Sequence, residues 1–271
     1  MPGICKIVPG GLIALGIGLL LVTFTACTPW YQPYGIDSEE DLVKLSAVPD
    51  LRLALTSSNA DIRVKASQTL GEIGPDARDA APDLVMALED ERYEVRQAAA
   101  DALDKMKLVS PEYKEIPILV QITRLRSKSR IERRKAADKL AEMGPRAAQA
   151  VPALIRTVQD DSDWDERYNE VRRAAVRALG EIGYAARAAN PALIEALASF
   201  DYTVRLEAVK ALGKIGPKQS PDVIEALTGV LEDPDFDVRR EAVVALGNFE
   251  ECAQCALPQL VTMNLSEIGR A

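Results

Sequence analysis

Residues 171–183 read VRRAAVRALGEIG, and the apolar residues in this stretch fall on one face of a helix. They recur at intervals of three and four residues: Val171, Ala174, Ala175, Ala178, Leu179 and Ile182. That spacing predicts an amphipathic α-helix that buries this face against its neighbours. Gly183 follows the last apolar residue, in the position where helices commonly end in a left-handed residue. The stretch therefore predicts one short helix with a defined end.

Five other stretches repeat this pattern, each with arginine in the second place and leucine in the ninth. They begin at Ile62, Val95, Glu132, Val204 and Val238. The ninth-place leucines are Leu70, Leu103, Leu140, Leu179, Leu212 and Leu246, separated by 33, 37, 39, 33 and 34 residues. A period of this length accommodates two short helices and two turns, which is typical of repeat architectures.

A second helix in each period is predicted from proline. Glycines end the first helix at Gly74, Gly144, Gly183 and Gly216. Short apolar runs then open at Pro82, Pro117, Pro152, Pro191, Pro221 and Pro258. Proline is tolerated in a first helical turn because its missing N–H would have no intrahelical partner there. The segment 38–56 supplies a further half unit, so the body consists of helix–turn–helix units.

Six copies in this register resemble the HEAT repeat, in particular the bacterial HEAT-like subgroup named after phycobilisome lyases, over about residues 38–266. The resemblance implies an all-α fold: a right-handed α–α superhelix, or solenoid, of about six and a half two-helix repeats. Each repeat of such an array buries its apolar face on its neighbours, and the second helices line a concave face.

The resemblance also assigns a role to the motif arginines. In that family an acidic residue six places before the arginine braces the turn, and the pairs that fit are Asp90 with Arg96, Glu166 with Arg172 and Asp233 with Arg239. Serine stands in that place at Ser57, Ser127 and Ser199, so we expect an incomplete bracing ladder. We expect all six motif arginines to be structural.

Composition narrows the function classes. The formal net charge of -8 argues against a nucleic-acid binder, which gains affinity by neutralising phosphates. The chain has no histidine, which removes the commonest general base and the commonest metal ligand. We therefore expect a scaffold or adaptor that binds other proteins, with no catalytic residues, cofactor or metal. The alternative is a subunit of a bilin-lyase-like or other HEAT-like enzyme.

The N-terminus predicts export. Lys6 precedes a compact apolar core at about residues 12–24, which has the length of a signal-peptide core. Thr25, Ala26 and Cys27 resemble the cleavage box of a bacterial lipoprotein signal, with Phe24 in place of the usual leucine. The resemblance implies cleavage before Cys27 and attachment of lipid to it. An uncleaved anchor and an ordinary signal peptide are the alternatives.

These features divide the chain into three parts: a signal peptide or membrane anchor at 1–26, a tether at 27–37 and the repeat domain at 38–271. All three interpretations of the N-terminus predict that the repeat domain crosses a membrane. We expect the domain to be held at the bacterial cell envelope, on the exported side.

Three irregularities interrupt the repeats, and function is expected in such grafted features rather than in the fold. Residues 124–135, RLRSKSRIERRK, hold seven basic residues and one acidic residue. Arg124, Arg126, Lys128 and Arg130 are therefore candidate contacts to an acidic partner or to anionic head groups. The alternative is a solvated turn with one structural arginine.

The other two irregularities are an acidic turn and a cysteine pair. Trp164 lies amid carboxylates at 159–170 and is a candidate partner contact, unless it folds back over its own repeat. Cys252 and Cys255 lie in the turn of the last unit, where a disulfide is expected outside the cytosol. A redox-active dithiol and a zinc site that borrows carboxylates are the alternatives.

Overall fold

The structure, a computed structural model, describes residues 48–108, 110–160, 169–216 and 221–248. Every regular element within these residues is an α-helix or a 3₁₀ turn, which confirms the all-α prediction. The chain divides into two compact units, Met1–Val109 and Ser110–Ala271. None of the helices among the described residues is both long enough and apolar enough to cross a membrane.

The described part of the first unit contains four helices. They are α1 (Val48–Ala54), α2 (Ala60–Ile73), α3 (Ala81–Ala87) and α4 (Tyr93–Met106). The Asn59 side chain caps α2 by accepting the N–H of Asp61. The core of this unit includes the fully buried side chains of Leu51, Leu70, Leu84 and Met106. The helix α2 packs against α4, while α1 packs against α2 and α3 packs against α4.

In the second unit, long first helices alternate with short second helices. The first helices are α6 (Arg130–Met143), α8 (Asn169–Ile182), α10 (Tyr202–Ile215) and α12 (Phe236–Gly247). The second helices are α5 (Ile116–Arg124), α7 (Val151–Gln159), α9 (Asn190–Ala196) and α11 (Pro221–Gly229). This alternation is the helix–turn–helix period that the spacing of the leucines predicts.

Small residues let the first helices approach closely. A Cβ added to Gly180 in α8 would lie 2.8 Å from the Cα of Ala211 in α10. The same register places Gly71 in α2 against Ala102 in α4, at 2.7 Å. Real Cβ atoms do not approach backbone this closely, so glycine at these two positions sets the distance between adjacent first helices.

Glycine ends the first helices as predicted, but a 3₁₀ turn that the sequence does not predict follows three of them. Positive φ angles of 71°, 56°, 70° and 85° occur at Gly74, Gly144, Gly183 and Gly216. The 3₁₀ turns are Gly74–Ala80, Gly144–Ala150 and Gly183–Ala189. The prolines then lie within the first two positions of α3, α5, α7 and α9, and α11 begins at Pro221 itself. Pro258 lies outside the described residues.

The motif arginine of each repeat holds the turn that precedes its own helix. In five repeats its Nη1 donates to the carbonyl oxygen six residues earlier, at 2.6 to 2.9 Å: Arg63 to Ser57, Arg96 to Asp90, Arg133 to Ser127, Arg205 to Ser199 and Arg239 to Asp233. In the remaining repeat, Arg172 donates from Nε to the carbonyl of Val158 at 2.7 Å. The prediction that all six arginines are structural is confirmed.

The predicted pairs of an acidic residue with the arginine six places on are observed for Asp90 and Asp233, through the backbone carbonyl of the acidic residue. The backbone carbonyl of Asp90, not its carboxylate, accepts from Arg96, and the carboxylate pairs with Arg63 of the preceding repeat at 2.7 and 2.9 Å. Asp233 likewise gives its carbonyl to Arg239 and its carboxylate to Arg205. Glu166 lies outside the described residues.

Serine closes the local turn where aspartate is missing, so what these turns lack is the carboxylate that aspartate offers to the preceding repeat. The Asp90 carboxylate accepts the N–H of the residue two places on, at 2.9 Å. The hydroxyls of Ser57, Ser127 and Ser199 accept the equivalent N–H at 3.2, 3.0 and 3.3 Å. Both side chains close the same local turn, and only aspartate adds the bond to the preceding repeat.

Candidate partner-binding surface

The basic segment, residues 124–135, spans the tight turn between α5 and α6. The helix α5 ends at Arg124 and α6 begins at Arg130. The hydroxyl of Ser129 caps α6 by accepting the N–H of Glu132 at 3.5 Å, and the buried Ser127 hydroxyl donates to the Glu132 carboxylate at 2.5 Å. This hydrogen bonding fixes the backbone, so the cations of the segment are presented on an ordered turn.

The cations of the basic segment have two different roles. Arg133 donates to the carbonyls of Ser127 and Lys128, and is the structural arginine of this repeat. The predicted contacts Arg124, Arg126, Lys128 and Arg130 lie together on the turn and at its two helix ends, with Arg126 and Lys128 exposed. The four predicted cations therefore lie within one short turn and its two helix ends, and their role as partner contacts stays a prediction.

Ile131 adds an apolar residue to this surface that the sequence analysis missed. Its side chain is 55% exposed, in the first turn of α6 directly after Arg130. The other five copies carry a polar residue in this place: Asp61, Glu94, Glu170, Thr203 and Asp237. An alignment of the six repeats would reveal Ile131, because the other five copies are polar at this position. The segment thus combines positive charge with an exposed aliphatic side chain.

Two aromatic residues were also missed, one in the turn before α10 and one at the first residue of α10. Phe200 is 93% exposed and Tyr202 is 48% exposed. The Phe200 backbone is held in the turn because its carbonyl accepts from Arg205 at 3.2 Å. Other copies have Ser58, Glu91, Lys128 or Pro234 at the equivalent position. An alignment of the repeats would therefore reveal Phe200 as the aromatic exception. Phe200 takes the place in its turn that Lys128 takes in the basic segment.

The remaining predicted functional residues lie outside the described part of the chain. They are Cys27, Trp164, Cys252 and Cys255. Lipid attachment at Cys27, the partner contact at Trp164 and the disulfide between Cys252 and Cys255 stay predictions.

Two buried ion pairs have displaced pKa values. Burial raises the pKa of Asp90, but the hydrogen bonds from Arg63 and from the Arg92 N–H, with the charges of Arg63 and Arg96, outweigh it and lower the pKa below its usual value. The same balance, with Arg205 and the Asp235 N–H, lowers the pKa of Asp233. Both carboxylates are therefore held ionised, as structural acceptors rather than as acid or base groups.

Within residues 48–108, 110–160, 169–216 and 221–248, no group of three or more histidine, cysteine, aspartate or glutamate side chains is arranged to hold a metal ion.

The sequence matches a known family over most of its length. The HEAT repeats profile matches residues 48–124, 116–191 and 190–267. The chain therefore belongs to the HEAT repeat family. No curated protein matches the chain significantly.

Solved structures that resemble the chain include a designed repeat protein. An engineered protein is 26% identical, with 75% of this chain and 96% of that chain covered, at a TM-score of 0.45. A computationally designed armadillo repeat protein for modular peptide recognition is 19% identical, with 74% and 99% covered, at a TM-score of 0.46. Human deoxyhypusine hydroxylase is 22% identical, with 82% and 96% covered, at a TM-score of 0.34. At these TM-scores the similarities carry no information on function.

Proposed function

We propose that this HEAT repeat protein is a lipid-anchored scaffold that binds another protein at the bacterial cell envelope and has no catalytic activity of its own. The observation that carries the proposal is the basic segment at 124–135, an ordered and exposed surface of positive charge on a chain whose net charge is -8. Within the family we assign the chain to the phycobilisome-lyase-like subgroup, because its copies share one register over about residues 38–266.

The repeat architecture supports a binding role. Each repeat buries its apolar face against the next repeat, and the remaining faces stay available to partners. The charged atoms that the fold itself needs are already used: the motif arginines hold their turns, and Asp90 and Asp233 are paired with arginines. The cations at Arg126 and Lys128 stand on exposed positions of the turn and are not required by the repeat pattern.

The chemistry of the basic segment defines the partner surface. Arg124, Arg126, Lys128 and Arg130 suit carboxylates, and the exposed Ile131 suits an apolar patch among them. Complementary charge speeds encounter and selects partners, whereas an apolar contact at the centre of an interface supplies much of the affinity. We infer an acidic protein surface with an apolar centre as the partner, and Trp164 as a second contact.

The membrane anchor is proposed from the N-terminal sequence. Cleavage before Cys27 and lipidation of its thiol would hold the repeats at the membrane, with residues 28–37 as a spacer. The mass of the mature N-terminus, measured from the membrane fraction, tests this. A peptide that begins at an acylated Cys27 is expected. An intact Met1 would overturn cleavage, and an unmodified N-terminus beyond Ala26 would overturn lipidation.

The binding role is tested by charge reversal in the full chain. We expect Arg126→Glu, Lys128→Glu and Arg130→Glu together to reduce crosslinked partner in intact cells by about tenfold or more, because complementary charge becomes repulsion. Stability should stay within about 0.5 kcal/mol, since the replaced side chains lie at the surface.

A matched control separates this surface from net charge. Lys139, Arg146 and Arg173 are exposed in the same unit, and reversing all three changes the net charge equally. Partner capture should survive in this control. Equal loss in both triple variants, or undiminished capture by the first variant, would contradict the proposal.

A further inference from the structure

A groove in the second unit lies between α9 and the end of α11. Its volume is about 320 Å³, and its walls are mainly apolar, formed by Ile194 and Leu197 on one side and by Ala226 and Val230 on the other. These residues belong to successive second helices, so packing alone brings them together. A groove of this size can hold one or two side chains of a partner.

The helices beside the groove carry negative charge. The helices α9 and α11 and the 3₁₀ turn Val230–Glu232 contain no lysine or arginine. They carry four exposed carboxylates: Glu195, Asp222, Glu225 and Glu232. Glu232 itself lines the groove, whereas the carboxylate of Asp233, which also lines it, is engaged by Arg205. The groove is therefore mainly apolar, with the exposed carboxylate of Glu232 at its edge, opposite in sign to the basic segment.

Gly229 keeps one wall of the groove open without a backbone reason. Its φ of -60° and ψ of -32° are those of an ordinary helical residue. A Cβ added there would meet no atom within 4 Å. Glycine in a helix costs about 1 kcal/mol relative to alanine. Glycine at this position therefore leaves the wall of the groove without a side chain.

We propose that this groove binds a segment of another protein in which basic and apolar side chains alternate. An apolar side chain enters between Leu197 and Val230, and a neighbouring lysine or arginine side chain meets Glu232. The long apolar stems of these cations suit the same walls. The inference rests on the proposed role as a protein-binding scaffold and deepens it, because it adds a second contact of opposite charge and names its ligand.

The probe is a labelled synthetic peptide of alternating lysine and leucine, titrated into the purified repeat protein at low and at physiological salt. Its counterpart with glutamate in place of lysine measures binding due to leucine alone. We expect the lysine peptide to bind about tenfold or more tightly than the glutamate peptide, with affinity that falls as salt rises. Equal binding of both peptides would overturn the charge assignment.

Two pairs of variants locate the binding. Gly229→Leu fills the groove, while Gly247→Leu adds the same side chain at a helical position on α12 where a Cβ also meets nothing within 4 Å. Glu232→Lys reverses a charge at the groove, while Glu142→Lys makes the same change at an exposed position on α6. The groove variants should each lose about tenfold in affinity and the controls less than about twofold.

The outcomes separate this inference from the proposed function. If Glu142→Lys weakens binding as much as Glu232→Lys, the affinity depends only on net charge and the groove is not the peptide-binding site. If the wild-type chain self-associates in sedimentation and Glu232→Lys abolishes that, the ligand is a second copy and the inference of another protein is overturned. If the peptide binds the groove but no partner is crosslinked in cells, the proposed function is overturned and the groove inference stands.

Discussion

Arg205 and Asp233 are joined by two hydrogen bonds of 2.8 Å, between a guanidinium edge and both oxygens of a carboxylate, although 28 residues separate them. Their side chains are only 12% and 7% exposed. Arg63 and Asp90 repeat the arrangement in the first unit, at 2.7 and 2.9 Å. Each pair ties the first helix of one repeat to the turn that opens the next, in the bidentate geometry that makes such pairs strong.

Removing the charge of Asp233 should loosen this tie. Asp233→Asn keeps an oxygen for the Asp235 N–H but leaves Arg205 without its carboxylate partner in a largely buried site. We expect a loss of about 1 to 3 kcal/mol in the free energy of unfolding. Urea denaturation measures it. The control Asp237→Asn removes an exposed pair with Arg240 at 3.5 Å and should cost less than about 1 kcal/mol. Equal effects in both variants would contradict a special role for Asp233.

The same pair predicts a pH dependence. The pKa of Asp233 is lowered in the folded protein, so the unfolded chain binds the proton more tightly and stability rises with pH. The contribution is complete above the unfolded pKa of about 4 and is lost as pH falls through the lower folded value. The stability difference between wild type and Asp233→Asn should therefore stay constant from pH 7 to about pH 5 and shrink towards about pH 2. Urea midpoints across this range measure it, and a constant difference down to pH 2 would contradict it.

The helix–turn–helix period could be predicted because its signals are local. Apolar spacing, a terminating glycine and a proline in the next first turn each act within a few residues. The 3₁₀ turn Gly144–Ala150 could not be predicted, because its alanines suit an α-helix equally well. Its geometry depends on Ala147 and Ala150, which are both fully buried by the helices around them.

The functional features also differ in whether local sequence or helix packing determines them. The basic segment could be predicted because its residues are contiguous, and its outlier Ile131 needs only the repeats to be aligned. The groove could not be predicted, because Leu197 and Val230 become neighbours only when the helices pack. The contact between Asp90 and Arg96 could be predicted because they are six residues apart in sequence. The ion pair between the Asp90 carboxylate and Arg63, 27 residues away in the preceding repeat, could not.

The ninth-place leucines should carry much of the packing energy. Leu179 is fully buried in α8, which packs against both α6 and α10. Leu179→Ala should cost about 2 to 5 kcal/mol and increase hydrogen exchange in both neighbouring first helices, because stability in repeat arrays is shared between neighbours. Val244→Ala, at a 52% exposed position on α12, is the control and should change stability by less than about 0.5 kcal/mol. An unchanged unfolding midpoint for Leu179→Ala would contradict the packing.

Gly180 tests whether glycine sets the spacing of the first helices. Alanine has the higher helix propensity by about 1 kcal/mol, so propensity alone favours Gly180→Ala. A Cβ there would lie 2.8 Å from the Cα of Ala211, a backbone atom that cannot move aside cheaply. Overpacking typically costs about 1 to 3 kcal/mol, and we expect it to outweigh propensity.

Gly247 provides the matched control for this substitution. It holds the same place in α12, and a Cβ there meets no atom within 4 Å, so Gly247→Ala should leave stability unchanged or raise it slightly. Thermal and urea unfolding of the two variants give the comparison. If Gly180→Ala is as stable as Gly247→Ala, the helices have room for a methyl group and the close approach of α8 to α10 does not depend on glycine.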